Sequence, residues 1–190
     1  TDTQYINSLD TGATATISKQ IEGLGSNLIV INLRGRGAGT TLSLSECEGL
    51  TSKQGIGAVS PSLTGSITAK YNETKYDTSL EGVTEDYSTV RNYSVSTGRF
   101  ISGMDVEYGQ PVVILGKTVS EQLFGRSDPV GKKIKLNGYE FKVIGLLESK
   151  SSSTSTSTIG SDDDKVLIPI TTAERILGTK TIRTVYVTAK

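Results

Sequence analysis

Pro111–Gly125 reads PVVILGKTVSEQLFG: an apolar run, then Gly-Lys-Thr, then a short amphipathic stretch closed by glycine. A strand entering a helix through Gly-Lys-Thr is also the outline of a phosphate-binding loop. The stretch therefore decides between a nucleotide site and a piece of α/β architecture. A phosphate cradle needs a glycine five residues before the Gly of Gly-Lys-Thr, where the backbone wraps the anion. That position is Pro111, which has no N–H to donate. The stretch is expected to be architectural. Val112–Leu115 is a buried strand, Gly116 the turn and Thr118 the cap of a helix over Val119–Phe124. Leu123 and Phe124 anchor that helix and Gly125 ends it.

The same course occurs a second time. VLIPITTAERILG (Val166–Gly178) also runs from apolar strand through Thr-x-x-Glu to a paired apolar end and a glycine. Thr118/Glu121 and Thr171/Glu174 each have capping-box spacing, and Gly125 and Gly178 each suit a left-handed exit. Between the two copies lies Lys132–Leu147, where Asn137-Gly138 separates KKIKL from YEFKVIG. A type I′ turn needs positive φ at both central positions, so a hairpin is expected, with Ile134, Leu136, Phe141 and Val143 on its buried face. The lysines on its other face most often mean a solvated sheet surface, with a membrane-surface role as the alternative.

Toward the N-terminus, Tyr5, Ile6, Leu9, Ala13, Ile17, Ile21 and Leu24 recur at steps of mostly three and four, which predicts an amphipathic helix over 5–24 that Gly23 and Gly25 stop. Leu28–Leu33 reads as a buried strand, RGRGAGT (34–40) as a mobile linker, and Ser43–Glu46 as the capping box of a helix reaching about Lys53. Strands follow at 56–71 and 74–83, then a transition over 87–100 with little periodicity. KSSSTSTSTIGS (150–161) has almost nothing apolar to bury and is expected to be mobile. Asp162-Asp163-Asp164 lacks calcium-loop spacing and reads as a solvated charge run. Arg34–Gly39 fails the G-x-G-x-x-G pattern, because Thr40 stands where the third glycine belongs.

Composition removes further classes. The 190 residues carry 20 Lys plus Arg against 20 Asp plus Glu, so no positive excess points to nucleic acid. With no histidine and a single cysteine, Cys47, neither a Cys/His zinc site nor a His-based catalytic triad can be assembled. No apolar run approaches the ~20 residues that span a bilayer. The chain begins at Thr1 with Met104 as its only methionine, which is expected of a segment excised from something longer.

Gly98-Arg99-Phe100 followed by Asp105, Val112–Gly116, Leu123-Phe124-Gly125, Asp128-Pro129-Val130-Gly131-Lys132, Phe141–Gly145, and Asp163-Asp164 ahead of Val166–Pro169 form an ordered series. The series resembles the extracytoplasmic domain of MacB-type ABC transporter permeases, of the FtsX-like permease superfamily. Gly25-Ser26-Asn27 before LIVI, Ala58–Pro61 and Gly82-Val83 extend the resemblance from about Ile21 to Val187, while 34–48 carries little of it.

The resemblance implies an α+β fold: a porter-like βαβ subdomain formed by both chain ends, with a small inserted α/β subdomain. The corresponding division is a membrane-proximal helix at 1–25, porter parts at 26–91 and 165–190, the insert at 92–150 and a flexible loop at 151–164. It implies a non-catalytic module without cofactor or metal, outside the cytoplasmic membrane of a bacterium. Its implied role is to relay ATP-driven movement of the membrane helices, with the 5–24 helix as lever. The implied partners are the permease's own transmembrane helices, a second permease copy, a cytoplasmic ATP-binding domain or subunit and a periplasmic adaptor protein, and no nucleic acid. The alternative is a secreted or surface module that binds peptide or sugar, which needs an apolar pocket with convergent polar groups.

Overall fold

The computed structural model describes residues 3–6, 15–20, 28–33, 44, 47, 49, 56–149, 163–182 and 184–189. The chain divides into two units. One comprises 1–63, 86–92 and 178–190; the other comprises 64–85 and 93–177.

The first unit holds strands β1 (Thr3–Ile6), β2 (Ala15–Gln20), β3 (Leu28–Leu33), β11 (Thr184–Ala189) and the first half of β4 (Ile56–Tyr71). They follow one another in the order β1-β2-β3-β11-β4, every pairing antiparallel. Sequence order is broken once: β11, from the far end of the chain, lies between β3 and β4. The short helix α1 (Tyr87–Val90) puts the Tyr87 ring edge-on to Tyr186, 6.0 Å between centroids, and Arg91 stands 4.6 Å over the same Tyr186 ring. Leu28, Val59, Leu63, Tyr87, Val90, Ile182, Val185 and Val187 are buried here.

The second unit is the more strongly patterned. Its strands are the second half of β4, β5 (Thr74–Val83), β6 (Val95–Gly98), β7 (Val112–Leu115), β8 (Lys133–Leu136), β9 (Tyr139–Leu147) and β10 (Lys165–Pro169). The path β4-β5-β10-β7-β9 is returned to β4 by β8, which pairs both β9 and β4, so the hydrogen-bonded strands close into a ring; β6 hangs on the outer edge of β9. β10 runs parallel to β5, and β7 parallel to β9. Every residue of β7 is buried, as is every residue of β10 after Lys165, the signature of strands covered on both faces. The helices are α2 (Gly103–Glu107), α3 (Lys117–Phe124) and α4 (Ile170–Leu177). α3 packs on β5, β9 and β10, and α4 on β5 and β10, with α2 against α4. None of the described helices is long and apolar enough to cross a membrane.

The mixed α/β architecture is as expected; of the two units one takes in both chain ends, and the other, 64–85 with 93–177, is larger than the small insert expected at 92–150. Three local expectations are corrected. The helix over 5–24 is not formed where the structure describes it: β1 and β2 are strands, paired Gln4↔Ile17, with β2 in turn paired Ile17↔Ile31. Ala15–Gln20 contains Thr16 and Ile17, side chains that favour strands, and β1 and β3 supply its backbone partners on either side. Second, the division at 91/92 and 164/165 is drawn elsewhere, because β10 hydrogen-bonds β5 and β7 and so takes 165–177 into the second unit. Third, the transition at 87–100 contains α1 and β6. In the helix expected after Ser43, the described positions Leu44, Cys47 and Gly49 are helical. The linker 34–40 and the segment 150–161 lie outside the described residues, apart from Asp163 and Asp164 at the end of the latter's acidic continuation.

Candidate functional site

Gly116 begins α3 with φ −70° and ψ 158°, and no side chain caps the helix. The turn is held by backbone instead: the Gly116 N–H donates to Lys165 O at 2.8 Å, and the Thr118 N–H donates to Asp163 O at 3.0 Å. A Cβ at Gly116 would stand 2.3 Å from Asp163 O and 2.8 Å from Lys165 O. The glycine of Gly-Lys-Thr thus lets the entry to β10 pass against the end of β7, and Lys117 points into solvent as an exposed residue. The expected Thr118 cap is replaced by this strand contact. Thr171 likewise does not cap α4: its hydroxyl donates to Val106 O at 2.6 Å, and that of Thr172 to Gln110 O at 3.0 Å. The two strand–helix–glycine copies share their course, and Gly125 (φ 61°) and Gly178 (φ 65°) both end helices at positive φ.

A capping box does exist where none was read. The Ser102 side chain accepts from the Asp105 N–H, and Asp105 accepts from the Ser102 N–H, at the start of α2. Ser102-Gly-Met-Asp105 has the spacing that would have found it. Asp105 is buried and takes a charged partner as well, Arg99 at 2.6 Å. The Arg99 guanidinium, outweighing the effect of burial, holds the Asp105 carboxyl down at about 2, and the same bond raises Arg99. Gly98 and Gly145 are paired across β6 and β9. A Cβ on Gly98 (φ 84°) would meet Ile144 O, and one on Gly145 would lie 2.6 Å from Arg99 O, so this crossing admits no larger residue.

The remaining family positions are structural in placement. Leu123 is buried. Phe124 is half-buried rather than a core residue, with its ring 4.2 Å from that of Tyr71. Asp128 Oδ1 accepts from the Val130 N–H at 3.0 Å, Pro129 is buried, and the Gly131 N–H donates to Val143 O, which seats the turn into β8. Phe100 is half-buried, and Pro169 closes β10 beside Val83.

The acidic run is not a freely solvated one where it is described. Asp163 is buried and accepts from the Ser149 hydroxyl at 2.6 Å; Asp164 accepts from Tyr76 Oη at 3.1 Å and Thr78 Oγ1 at 2.8 Å. Burial and the Asp164 hydrogen bond push the Tyr76 phenol up. Asp164 lies on an open groove of about 480 Å³, whose wall includes Ser66, Thr68, Asp77, Ser79 and Asn137. Its polar groups largely serve one another: Thr68 Oγ1 donates to Asp77 at 2.6 Å, and the Thr68 N–H donates to Asn137 Oδ1 at 3.0 Å. An apolar ligand pocket is lined differently. Inside the same unit, Lys165 reaches Glu81 at 3.3 Å with both side chains nearly enclosed, and stands 4.8 Å over the Tyr93 ring. No sequence signal joins residues so far apart in the chain. Among the described residues no three His, Cys, Asp or Glu side chains gather as a metal site. The arrangement fixes strands and turns.

Residues 5–190 match the model of the MacB-like periplasmic core domain. The macrolide export ATP-binding/permease protein MacB of Chlorobaculum tepidum is 35% identical over 192 residues, covering 94% of this chain and 29% of that protein. The protein of the same name from Bdellovibrio bacteriovorus is 35% identical over 175 residues, covering 87% of this chain and 26% of that protein. The chain therefore spans under a third of the length of these relatives. Among solved structures, the periplasmic region of MacB from Actinobacillus actinomycetemcomitans superposes with TM-score 0.72 at 22% identity, covering 88% of this chain and 76% of that one. The extracellular domain of the noncanonic ABC-type transporter YknZ from Gram-positive bacteria gives 0.71 at 24%, covering 85% and 82%.

Proposed function

The chain belongs to the MacB-like periplasmic core domain family, an extracytoplasmic part of ABC transporter permeases, and we propose that it is a non-catalytic relay between ATP-driven movement of membrane helices and export of substrate. The single observation that carries this reading is the pairing of β3 with β11. Strands from near the two ends of the chain are hydrogen-bonded neighbours, registered from Asn32↔Thr184 to Leu28↔Thr188. Movement arriving through either end enters one sheet, and the ladder resists its shear. In this reading the partners are the permease's own transmembrane helices, a second permease copy, the cytoplasmic ATP-binding part and a periplasmic adaptor. Export of a macrolide-like compound is the property of the named relatives and extends here only as part of this proposal.

The test uses the full-length transporter in proteoliposomes, with residues 28–189 replaced by a flexible linker. ATP turnover is expected to persist while export stops. Export continuing at the parental rate would show that the domain relays nothing.

A further inference from the structure

The outer face of the β4-β8-β9 sheet carries a charge pattern that the relay does not use. Residues directly opposite in an antiparallel pair share a face, and residues two apart along a strand share it too. Lys70 lies opposite Lys135, Lys135 opposite Glu140, and Lys133 opposite Lys142. Four lysines and one glutamate thus stand on one face across three adjacent strands, in a chain whose total charge is zero. Lys133, Lys135 and Lys142 are exposed and Lys70 is half-buried, while Ile134, Leu136, Phe141 and Val143 fill the opposite, inner face. Among the described residues of these three strands Glu140 offsets the charge from within the face, 2.9 Å from Lys133 and acted on by Lys135 as well.

Like charges placed directly opposite each other weaken a sheet, so folding alone does not favour Lys70 opposite Lys135 or Lys133 opposite Lys142. The face is also held in position. The hairpin tip is fastened to β4 in both directions: the Asn137 N–H donates to Thr68 O at 3.1 Å, and the Thr68 N–H donates to Asn137 Oδ1 at 3.0 Å. Protein–protein interfaces are depleted in lysine at their centres, whereas clustered lysines suit the headgroup layer of an anionic bilayer. We propose that this lysine face is an electrostatic docking surface for the anionic phospholipid of the membrane outside which the domain lies. The extracytoplasmic location of the family supplies the lipid surface. The relay supplies nothing to the inference, and either can fail without the other.

The 190-residue chain is sedimented with vesicles of phosphatidylglycerol and, separately, of phosphatidylcholine. Binding is expected to phosphatidylglycerol only, and to fall as salt shortens the reach of charge from roughly 10 Å at 0.1 M to 3 Å at 1 M. The triple variant Lys133→Gln, Lys135→Gln, Lys142→Gln is expected to bind roughly a hundredfold more weakly, at about one kilocalorie per lysine removed. Lys117→Gln with Lys180→Gln, exposed lysines elsewhere, is expected to leave binding unchanged. Absence of wild-type binding to phosphatidylglycerol would overturn the proposal, and this arm does not depend on how any variant folds. Equal binding by the triple variant would overturn it too. Salt-sensitive binding to polyglutamate with none to either vesicle would assign the face to an acidic protein instead.

Discussion

Arg99 and Asp105 meet through two hydrogen bonds, Nη1 to Oδ2 at 2.6 Å and Nη2 to Oδ1 at 3.1 Å, while the same Oδ2 takes the Ser102 N–H at 2.9 Å and the Ser102 hydroxyl at 2.8 Å. One carboxylate therefore joins the end of β6 to the start of α2. Its pKa is lowered from 3.8 to about 2. A lowered pKa means that the unfolded chain takes up the proton first. The contribution is present in full above the ordinary value and is lost as pH falls from about 3.8 to about 2. Arg99 is 53% exposed, so solvent screening limits the pair to about 1–2 kcal/mol. Asp105→Asn is expected to lower the melting temperature near neutral pH and to flatten its fall across that acid window. Thermal unfolding of both proteins over the window checks it; parallel curves would assign the acid sensitivity to another group.

Gly116→Ala is expected to destabilise the domain by about 1–3 kcal/mol, because the added Cβ would meet two backbone carbonyls that cannot turn aside. Lys117→Ala next to it should stay within about 0.5 kcal/mol, as an exposed substitution. Calorimetry with ATP and magnesium is expected to show no saturable heat, since Pro111 occupies the cradle position. A Gly116→Ala protein as stable as its parent would remove the close-approach account of this glycine.

Leu123 and Phe124 separate in a denaturant titration. Leu123 is 5% exposed, and Leu123→Ala should cost about 2–5 kcal/mol. Phe124 keeps one side in solvent and rests on Tyr71. Its truncation should cost less than that of a buried ring, and a double-mutant cycle with Tyr71→Ala should return about 0.5–1.5 kcal/mol of coupling. A coupling of zero would mean that the rings are neighbours without mutual stabilisation.

Gly138→Ala is expected to cost about 1 kcal/mol, because φ there is 88°. Asn137→Ala should cost more, since it removes both a residue tolerant of φ 47° and the acceptor of the Thr68 N–H. Asn137→Asp keeps an acceptor in place and is expected to recover most of the loss. Amide exchange at Thr68 reads the outcome directly: unchanged protection in Asn137→Ala would show that the tip does not need this bond.

The sequence by itself determined what depends on neighbours along the chain. Asn137-Gly138 has positive φ at both positions and lies between strands whose inward residues are Ile134, Leu136, Phe141 and Val143, because turn chemistry and two-residue alternation are local. Pro111 ruled out the phosphate loop for the same reason, and the ordered family residues marked the architecture without any contact being known. Tertiary structure alone decided the rest. Residues 15–20 became a strand because β3 offered backbone partners, and 3–6 because β2 then did, which no local propensity encodes. β10 joined the inserted unit because β5 and β7 flank it, although 165–190 reads as one continuous strand–helix–strand segment. Gly116 faces Asp163 O, and Lys165 faces Glu81, across sequence separations at which periodicity carries no information. Hydrogen-bond partners, close approaches and charge pairing are set by which segments arrive side by side, and that arrival is settled by the burial of the whole chain at once.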